Sequence, residues 1–512
     1  MLGSIKALFI VLCLALPVFW LAKPACLHFM SDEDFRRRRV IWAVSTCAVF
    51  LSPHILIFFL IVVPTTMWAV KKDSNPLAML GIVGSTVPYA TLDVPHLFPL
   101  TLSRILVFCI VIPLLLRSEP ALPRAAPAPR QHANWIVSFL LFAFLTLLII
   151  PKLQSYSWSE VLRQEILMIL DTMVPFWFLL RMLRSFKTLN EVLAVTVLTS
   201  AVMAPVALFE SLWGWLLYSE VTQNWGAGGN PFAYVMRGDR VRALVTTDHS
   251  LALGFMMAIA FGYWLHLQRW VPSRSTTLIG AALMWVGMIA AYSRGPWIAA
   301  ILLMFAYFGL MPKGTGRVIK ALVLGGLLLA ILAVTPFGAG IIDTLPFVGH
   351  MDSENVDYRA QLFSLAMELI PQHPWFGDLN VTSHMESLRQ GQGIIDLVNG
   401  FLLIALFYGL VPLAILVLII FIVLGKIRFA AVRSRQYDIN VYSLGAVLIA
   451  CILAALFFTW VARFAWELIS LFAMGLAYAR LVNAATSSAA PAVMEAETGH
   501  ARRPIRKTRR EN

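Results

Sequence analysis

The chain has 512 residues, of which 59% are hydrophobic and only 13% are charged. This composition excludes a soluble globular domain, in which about a quarter of the residues are charged. The net charge of +13 does not indicate a nucleic-acid partner, because the basic residues lie in short segments between apolar runs and near the C-terminus, where they set membrane topology.

Apolar runs recur from one end of the chain to the other, and a run of about 18 residues can cross the hydrocarbon core of a bilayer as a helix. The sequence therefore predicts an all-α polytopic membrane protein with about 13 to 15 transmembrane helices. The first run is expected to be a retained span, since no small-residue cleavage site follows it. The predicted spans are residues 5–22, 40–70 (two short helices if it breaks at Pro53), 77–92, 97–116, 134–151, 162–183, 189–217, 250–267, 277–292, 296–311, 319–336, 400–424, 441–460 and 464–482.

Lysine and arginine predict which loops face the cytoplasm. They cluster at 35–39, 71–72, 117–130, 181–187, 268–274, 312–320, 426–435 and in the C-terminal tail. On this topology residues 218–248, the turn at 293–296 and a long segment up to residue 399 face outward. We therefore divide the chain into transmembrane helices with short loops (1–336), one large outer loop (337–399), C-terminal transmembrane helices (400–482) and a disordered basic cytoplasmic tail (483–512).

The outer loop contains the sequence DYRAQLFSLAMELIPQHPWFGD, residues 357–378. Apolar residues recur in it at helical spacing, Asp357 is a candidate N-cap, and two prolines end the run. The pattern predicts an amphipathic helix whose apolar face lies on the helix bundle or at the membrane surface. The residues of that face are Tyr358, Leu362, Leu365, Ala366 and Leu369.

Arginines from three chain regions are expected on the outer face. Arg359 lies near the start of the amphipathic helix, where it either pairs with Asp357 or Glu354 or contributes to an anion site. In the turn Ser293-Arg294-Gly295-Pro296, Gly295 is expected to make the bend and Pro296 to start the next helix. Arg294 then lies at or near membrane depth, where a guanidinium needs an acidic partner or a bound phosphate. The third group is Arg237, Arg240 and Arg242.

Candidate proton acceptors in the outer loop are histidines and carboxylates. The five cysteines lie in or beside apolar runs without CxxC spacing, and the outer face has neither HExxH nor DxD. The sequence therefore predicts no disulfide framework, metal site or cofactor. The candidate proton acceptors are His350, His373, His384, Asp378, Glu386 and Asp396.

Three motifs together resemble one family: SRGPW, then DYRAQLFSLAMELIPQHPWFGD, then LRQGQGIIDLVNGFLLIALFYGLVPL. Their order and spacing are similar to those of the O-antigen ligase and polymerase family of bacterial surface-glycan enzymes, over residues 240–425. The resemblance implies a metal-independent glycosyltransferase of GT-C-like fold in the bacterial inner membrane, with a periplasmic catalytic loop and a cytoplasmic C-terminus. Its donor would be an undecaprenyl-diphosphate-linked glycan, held through the diphosphate by Arg294 and Arg359, with Arg242 as a third candidate.

One departure from the family pattern concerns the base. Where the family has His-Asn, this chain has Val398-Asn399. Either the base has moved to His384 or Asp396 in the same loop, or Asn399 only orients the acceptor, or the activity is altered or lost. We favour His384, because a neutral imidazole accepts a proton near pH 7, although a loop histidine that only bonds backbone fits as well.

Three acceptors are open: a growing glycan, lipid A core or a protein hydroxyl. Membrane lipid is a further expected partner. The alternative from another class is a non-enzymatic transporter or export component for lipid-linked glycan or polysaccharide, supported by Glu165 and Asp171 within the predicted span 162–183. We expect Arg163 to pair with Glu165. The large outer loop, with no GxxxxGK[ST] motif in the chain, favours the enzyme.

Overall fold

The computed structural model describes residues 2–88, 90–92, 99–116, 132–226, 236–237, 240–334, 353–389, 395, 397, 399–461 and 466–499. In these ranges nearly all regular structure is helical. Two short antiparallel hairpins are also present, β1 (Thr91–Leu92) with β2 (Leu100–Thr101), and β3 (Met236–Arg237) with β4 (Arg240–Val241).

Most predicted spans contain a helix, but the helix in the span 77–92 ends at Thr86, and a break at Gly409 divides the span 400–424. The helices are α1 Leu2–Cys26, α2 Asp32–Leu51, α3 Ile55–Lys72, α4 Pro76–Thr86, α5 Leu102–Leu116 with a π-helical turn, α6 His132–Leu147, α7 Trp158–Met168, α8 Val174–Met182, α9 Phe186–Trp213, α10 Ser219–Asn224, α11 Ser250–Leu267, α12 Arg274–Ala290, α13 Arg294–Leu310, α14 Gly314–Val334, α15 Ser353–Leu369, α16 Gly400–Tyr408, α17 Leu410–Ser434, α18 Ile439–Val461 and α19 Glu467–Gly499. A π-helical turn, Ile169–Met173, joins α7 to α8.

Within the described ranges, eight helices are long and apolar enough to cross a membrane, and four more apolar helices are shorter. The predicted all-α polytopic membrane class is therefore confirmed. The GT-C-like architecture and the larger number of crossings remain predictions. The eight helices are Gly3–Cys26, Ile55–Lys72, Asn134–Gln154, Phe186–Trp213, Ser250–Trp270, Leu410–Ser434, Ile439–Val461 and Glu467–Ser487.

Helix α11 lies at the centre of the bundle. Most of its residues are buried, and it packs against α9, α12, α13 and α18. Gly254 permits the approach of α13, because a Cβ atom there would lie 2.7 Å from Pro296 Cγ. This contact fixes the start of α13, which carries Arg294, against the N-terminal part of α11.

One arginine of the basic run 35–39 does more than set topology. Arg38 is fully buried, and its Nε and Nη2 donate to the Asp73 carboxylate at 3.0 and 2.6 Å. Nη2 also donates to Glu191 Oε1 at 2.7 Å. The cluster ties α2 and the end of α3 to α9, because each buried charge requires an opposite charge.

One predicted helix boundary agrees with the structure and another does not. The run 40–70 divides at Pro53 into α2 and α3, as expected. The tail does not begin at residue 483, since α19 continues to Gly499. Residues 483–499, expected to be disordered, are rich in alanine, the residue with the highest helix propensity, and they extend the last span as a helix. Residues 500–512 lie outside the described part of the chain.

Candidate functional site

The turn between α12 and α13 carries Arg294, and its bend differs from the predicted one. Tyr292 takes the positive φ of 47°, Ser293 is the N-cap residue, and Arg294 is the first residue of α13. Gly295 and Pro296 lie inside the first turn of the helix. The expectation that Gly295 makes the bend is therefore wrong. Pro296 fits there because the first helical turn needs no amide hydrogen bond.

Arg242 binds directly to this turn. Its Nη2 donates to Ser293 Oγ, and its Nε donates to the Ala291 carbonyl at 3.4 Å. The guanidinium of Arg240 lies over the Tyr292 ring, 5.9 Å from its centroid. The structure therefore brings two of the three predicted arginine regions together, with Arg242 bonded to the residue that precedes Arg294.

Sequence reasoning missed the residue that holds this segment in place. Glu210 is fully buried near the end of α9, and its carboxylate accepts the backbone amides of Leu217, Leu244 and Val245 at 3.0, 3.0 and 2.9 Å. Val245 adopts a positive φ of 52°. The available signal was an acidic residue inside an apolar run, a position that is costly without hydrogen bonds.

The amphipathic helix is confirmed as α15. Leu362 and Ala366 are buried, and Tyr358, Leu365 and Leu369 pack around them with residues of α16. The helix begins at Ser353, so Asp357 is not its cap.

Arg359 lies in the second turn of α15 and is exposed. Within the described residues, no hydrogen bond or ion pair joins it to Asp357 or to the turn before Arg294. The side chain of Glu354 lies outside the described part of the chain. No described interaction therefore links Arg359 to Arg242 or Arg294.

The segment HPWFGD, residues 373–378, docks on a break between α16 and α17. Leu410 N donates to the Pro374 carbonyl at 2.8 Å, and Asp378 N donates to the Leu406 carbonyl at 3.0 Å. Gly377 (φ 69°) lies against the backbone of residues 406–408, and Gly409 (φ 88°) lies against the backbone of residues 375–376. This close approach explains why a glycine occurs in HPWFGD and another in FYGL.

The predicted proton acceptors have different surroundings. His384 is exposed in the 3-10 helix Val381–Leu388. Glu386 accepts two hydrogen bonds from Arg389, at 2.6 and 2.5 Å. These hydrogen bonds lower the pKa of the Glu386 carboxyl below its usual value. Asp396 and Val398 lie outside the described residues.

Asn399 is the N-cap of α16. Its Oδ1 accepts the amides of Phe401 and Leu402 at 3.0 and 3.1 Å. This bonding accounts for an asparagine at that position without a role in chemistry. In the described part of the chain, no three His, Cys, Asp or Glu side chains lie close enough to hold a metal ion.

A cavity of about 1060 Å³ opens beside α11. Its wall includes one face of that helix, and α4, α5, α8 and α9 supply further apolar side chains. Along α11, the residues that line the cavity run from Asp248 to Tyr263. At 1.5 Å per helical residue, this part of the wall is about 22 Å long. One end of the cavity lies at the N-terminus of α11, and we call it the outer end because the predicted topology directs it outward. Polar residues of the wall that we assign to this end are Thr246, Thr247, Asp248, Tyr408 and Glu467.

The arginine-bearing turn lies close to the outer end of this cavity, although no arginine is among the described residues that line it. Gly254 of α11 meets Ala291 and Pro296 on one side of the helix, while Ala252 and Met256 line the cavity. A Cβ at Gly295 would lie 3.5 Å from Val461, five residues before Trp466 of the cavity wall.

Comparison with known proteins agrees with the motifs. Residues 279–417 match the family model described as "Wzy_C: O-Antigen ligase", and no curated protein matches the chain. The match confirms the predicted resemblance to the O-antigen ligase and polymerase family. The fold and this match define a multi-pass membrane protein with an O-antigen-ligase-type segment, which supports an enzymatic role in surface-glycan transfer. The matched residues include Arg294, Arg359, His384 and Asn399.

Proposed function

We propose that this protein transfers or polymerises an undecaprenyl-diphosphate-linked glycan on the periplasmic face of the bacterial inner membrane. The reaction belongs to the biosynthesis of surface polysaccharide, O-antigen or exopolysaccharide, and proceeds by a metal-independent GT-C-type mechanism. The acceptor is a hydroxyl of a growing glycan, of lipid A core or of a protein. The C-terminus lies in the cytoplasm.

The cavity beside α11 supports a polyprenyl donor. Its inner part is apolar, and its wall contains Met256, Ile259 and Phe178. A hydrocarbon chain placed there is removed from water, which is favourable at about 25 cal/mol per Å² of apolar surface. The polar groups at the outer end then face the diphosphate and the first sugars.

Arg242 and Arg294 are suited to the diphosphate. Guanidinium groups bind phosphate oxygens bidentately, and Arg242 is held on Ser293 next to Arg294. The N-termini of α11 and α13 lie at the same end of the bundle and also favour an anion. When the bond between the anomeric carbon and the diphosphate breaks, these groups stabilise the negative charge that develops on the leaving oxygen.

The roles predicted for the outer loop belong to the same proposal. Arg359 approaches the donor from α15 as a further cation, and His384 and Asp396 are the candidates of the outer loop for taking the proton of the acceptor. Asn399 orients the acceptor only if its amide nitrogen contributes, because its Oδ1 caps α16.

The transporter alternative is less well supported. Asp171 pairs with Arg104 at 2.7 Å, and Glu165 accepts a hydrogen bond from Thr146 at 3.2 Å. The described partner of Glu165 is thus Thr146 and not Arg163. Asp171 is explained by its local partner, and no substrate path is needed for it. The Oε2 atom of Glu165 has no hydrogen-bond partner among the described residues.

The observation that carries the proposal is the contact of Arg242 with the turn before Arg294, beside the outer end of a large apolar cavity. The test is glycan profiling of a deletion strain complemented with wild type, Arg294→Ala or Arg242→Ala. Each variant should lose glycan transfer by about 10²-fold or more, since one stabilising donor typically contributes about 3 kcal/mol. Arg389→Ala, an exposed arginine paired with Glu386, is the matched control.

Products of the deletion strain also separate the acceptors. Single repeat units without long chains indicate a polymerase, whereas unattached polymer on its lipid carrier indicates a ligase. Normal glycan lengths in both arginine variants, with the protein present in the membrane, would refute the proposed site.

A further inference from the structure

Two carboxylates line the outer end of the cavity, and neither belongs to the segment that matches the family. They are Asp248, two residues before α11, and Glu467, the first residue of α19. The predicted proton acceptors belong to another part of the chain, residues 350–396. The wall of the cavity therefore offers acid–base groups that the motifs did not indicate.

Glu467 is the better placed of the two. It is exposed to the cavity between Trp466 and Ser470, and it forms no hydrogen bond or ion pair within the described residues. Asp248 has an interaction of its own. An acid in the first turn of a helix also interacts favourably with the helix dipole. A test of Glu467 must therefore separate stabilisation of the helix from a role in the reaction.

We infer that Glu467 is the general base of the proposed transfer, an inference that rests on the proposed function. The acceptor oxygen forms a bond with the anomeric carbon while its proton passes to the Glu467 carboxylate. The bond between the anomeric carbon and the diphosphate oxygen breaks, and its electron pair leaves with the lipid diphosphate. The family has a histidine as proton acceptor where this chain has Val398, and the Glu467 carboxylate supplies a proton acceptor in its place.

The test uses the full-length protein in lipid nanodiscs. Transfer is measured with lipid-linked glycan extracted from the deletion strain, and binding is measured with undecaprenyl diphosphate. Glu467→Gln keeps the size of the side chain but removes the base, so kcat should fall about 10² to 10⁴-fold while binding of undecaprenyl diphosphate stays near wild type. Glu467→Asp retains a carboxylate and should recover part of kcat.

Glu160→Gln is the matched control. Glu160 is also a first-turn acid, the N3 residue of the capping box that begins α7, and it does not line the cavity. Its variant should transfer glycan at the wild-type rate. Glu467→Gln with wild-type kcat, or with kcat and binding reduced equally, would overturn the assignment of the base. A wild-type protein that neither binds undecaprenyl diphosphate nor transfers glycan would overturn the proposed function as well.

Discussion

Asn399 illustrates how a residue's neighbours restrict its role. The family pattern places it in the catalytic pair, whereas its Oδ1 holds the first two free amides of α16. The predicted span 400–424 begins at Gly400, the first residue of α16, so Asn399 stands directly before a predicted helix, where an N-cap is expected. The family pattern directs attention to a chemical role instead, and only the bonding of Oδ1 reveals the cap.

The capping role of Asn399 predicts a difference between two substitutions. Asn399→Ala should lower the free energy of unfolding by about 1 kcal/mol, because it leaves the helix start without an acceptor. Asn399→Asp keeps the acceptor oxygen and should retain both thermal stability and glycan transfer. A stable but inactive Asn399→Asp protein would instead show that the amide nitrogen is needed for the reaction.

Arg38 is a second residue whose role is hidden in the sequence. Its run of four arginines reads as a topology signal, and nothing local marks one of them as buried. The distinction depends on Asp73 and Glu191, which lie 35 and 153 residues away.

Replacing Arg38 with Met should destabilise the protein by about 3 to 5 kcal/mol, because two buried carboxylates lose their cation. Thermal unfolding in detergent measures the effect. The neighbouring Arg36 is exposed, so Arg36→Met should unfold at nearly the wild-type temperature. Equal melting temperatures for the two variants would contradict the structural role of the cluster.

At the scale of elements, the helix break at Gly409 determines how the outer segment is held. A continuous helix across 400–434 would satisfy its own amides. The break instead leaves Leu410 N and the Leu406 carbonyl available, and residues 374–378 bind them. The backbones approach so closely that neither glycine position has room for a Cβ atom.

Gly377→Ala and Gly409→Ala should each destabilise the docked segment by more than the roughly 1 to 2 kcal/mol of a left-handed backbone alone. A Cβ at Gly377 would lie 2.4 Å from Phe407 C, and one at Gly409 would lie 2.2 Å from the Trp375 carbonyl oxygen. Limited proteolysis of residues 353–389 and thermal unfolding measure the effect.

Gly226→Ala provides the control for this pair. Gly226 has a similar φ of 64° but nothing within 4 Å of a Cβ, so its variant carries the conformational cost alone. Proteolysis of residues 353–389 at the same rate in all three variants would contradict the importance of the close approach.

The same elements show which features the sequence predicts. The buried face of α15 was predicted residue by residue, because helical periodicity is a local property. The break at Gly409 was not, since apolar residues continue on both sides of it and the docking partner lies about thirty residues away in the chain, beyond the reach of periodicity.

At the scale of the whole molecule, the cavity depends on many helices at once. Its wall combines residues from α4 to α19, and no single motif marks it. Sequence periodicity indicates which residues are apolar, but it does not indicate where the packing of several helices leaves a space. The predicted site was consequently confined to outer loops.

Partial filling of the cavity tests its role in donor binding. Gly84 of α4 lines the cavity and has nothing within 4 Å of a Cβ, so the first side-chain atom of Gly84→Leu meets no neighbour and the side chain takes up space at the cavity wall. Binding of undecaprenyl diphosphate should weaken by about tenfold or more, since one leucine displaces lipid contacts of about 1.5 kcal/mol. The measurement is ligand binding in nanodiscs.

Gly309→Leu is the corresponding control. Gly309 of α13 also has nothing within 4 Å of a Cβ but does not line the cavity, and its variant should bind normally. Unchanged binding in Gly84→Leu would mean that the polyprenyl chain lies elsewhere.

The clamp formed by Glu210 has a consequence for substrate choice. By holding the amides of Leu244 and Val245 it makes residues 244–248, one rim of the cavity, a rigid border. Adaptation to acceptors of different size is then left to other parts of the wall, which include Leu403, Ile404 and Tyr408 of α16. Exchange of α16 between relatives should therefore alter which hydroxyl receives the glycan, whereas exchange of residues 244–248 should abolish transfer to every acceptor.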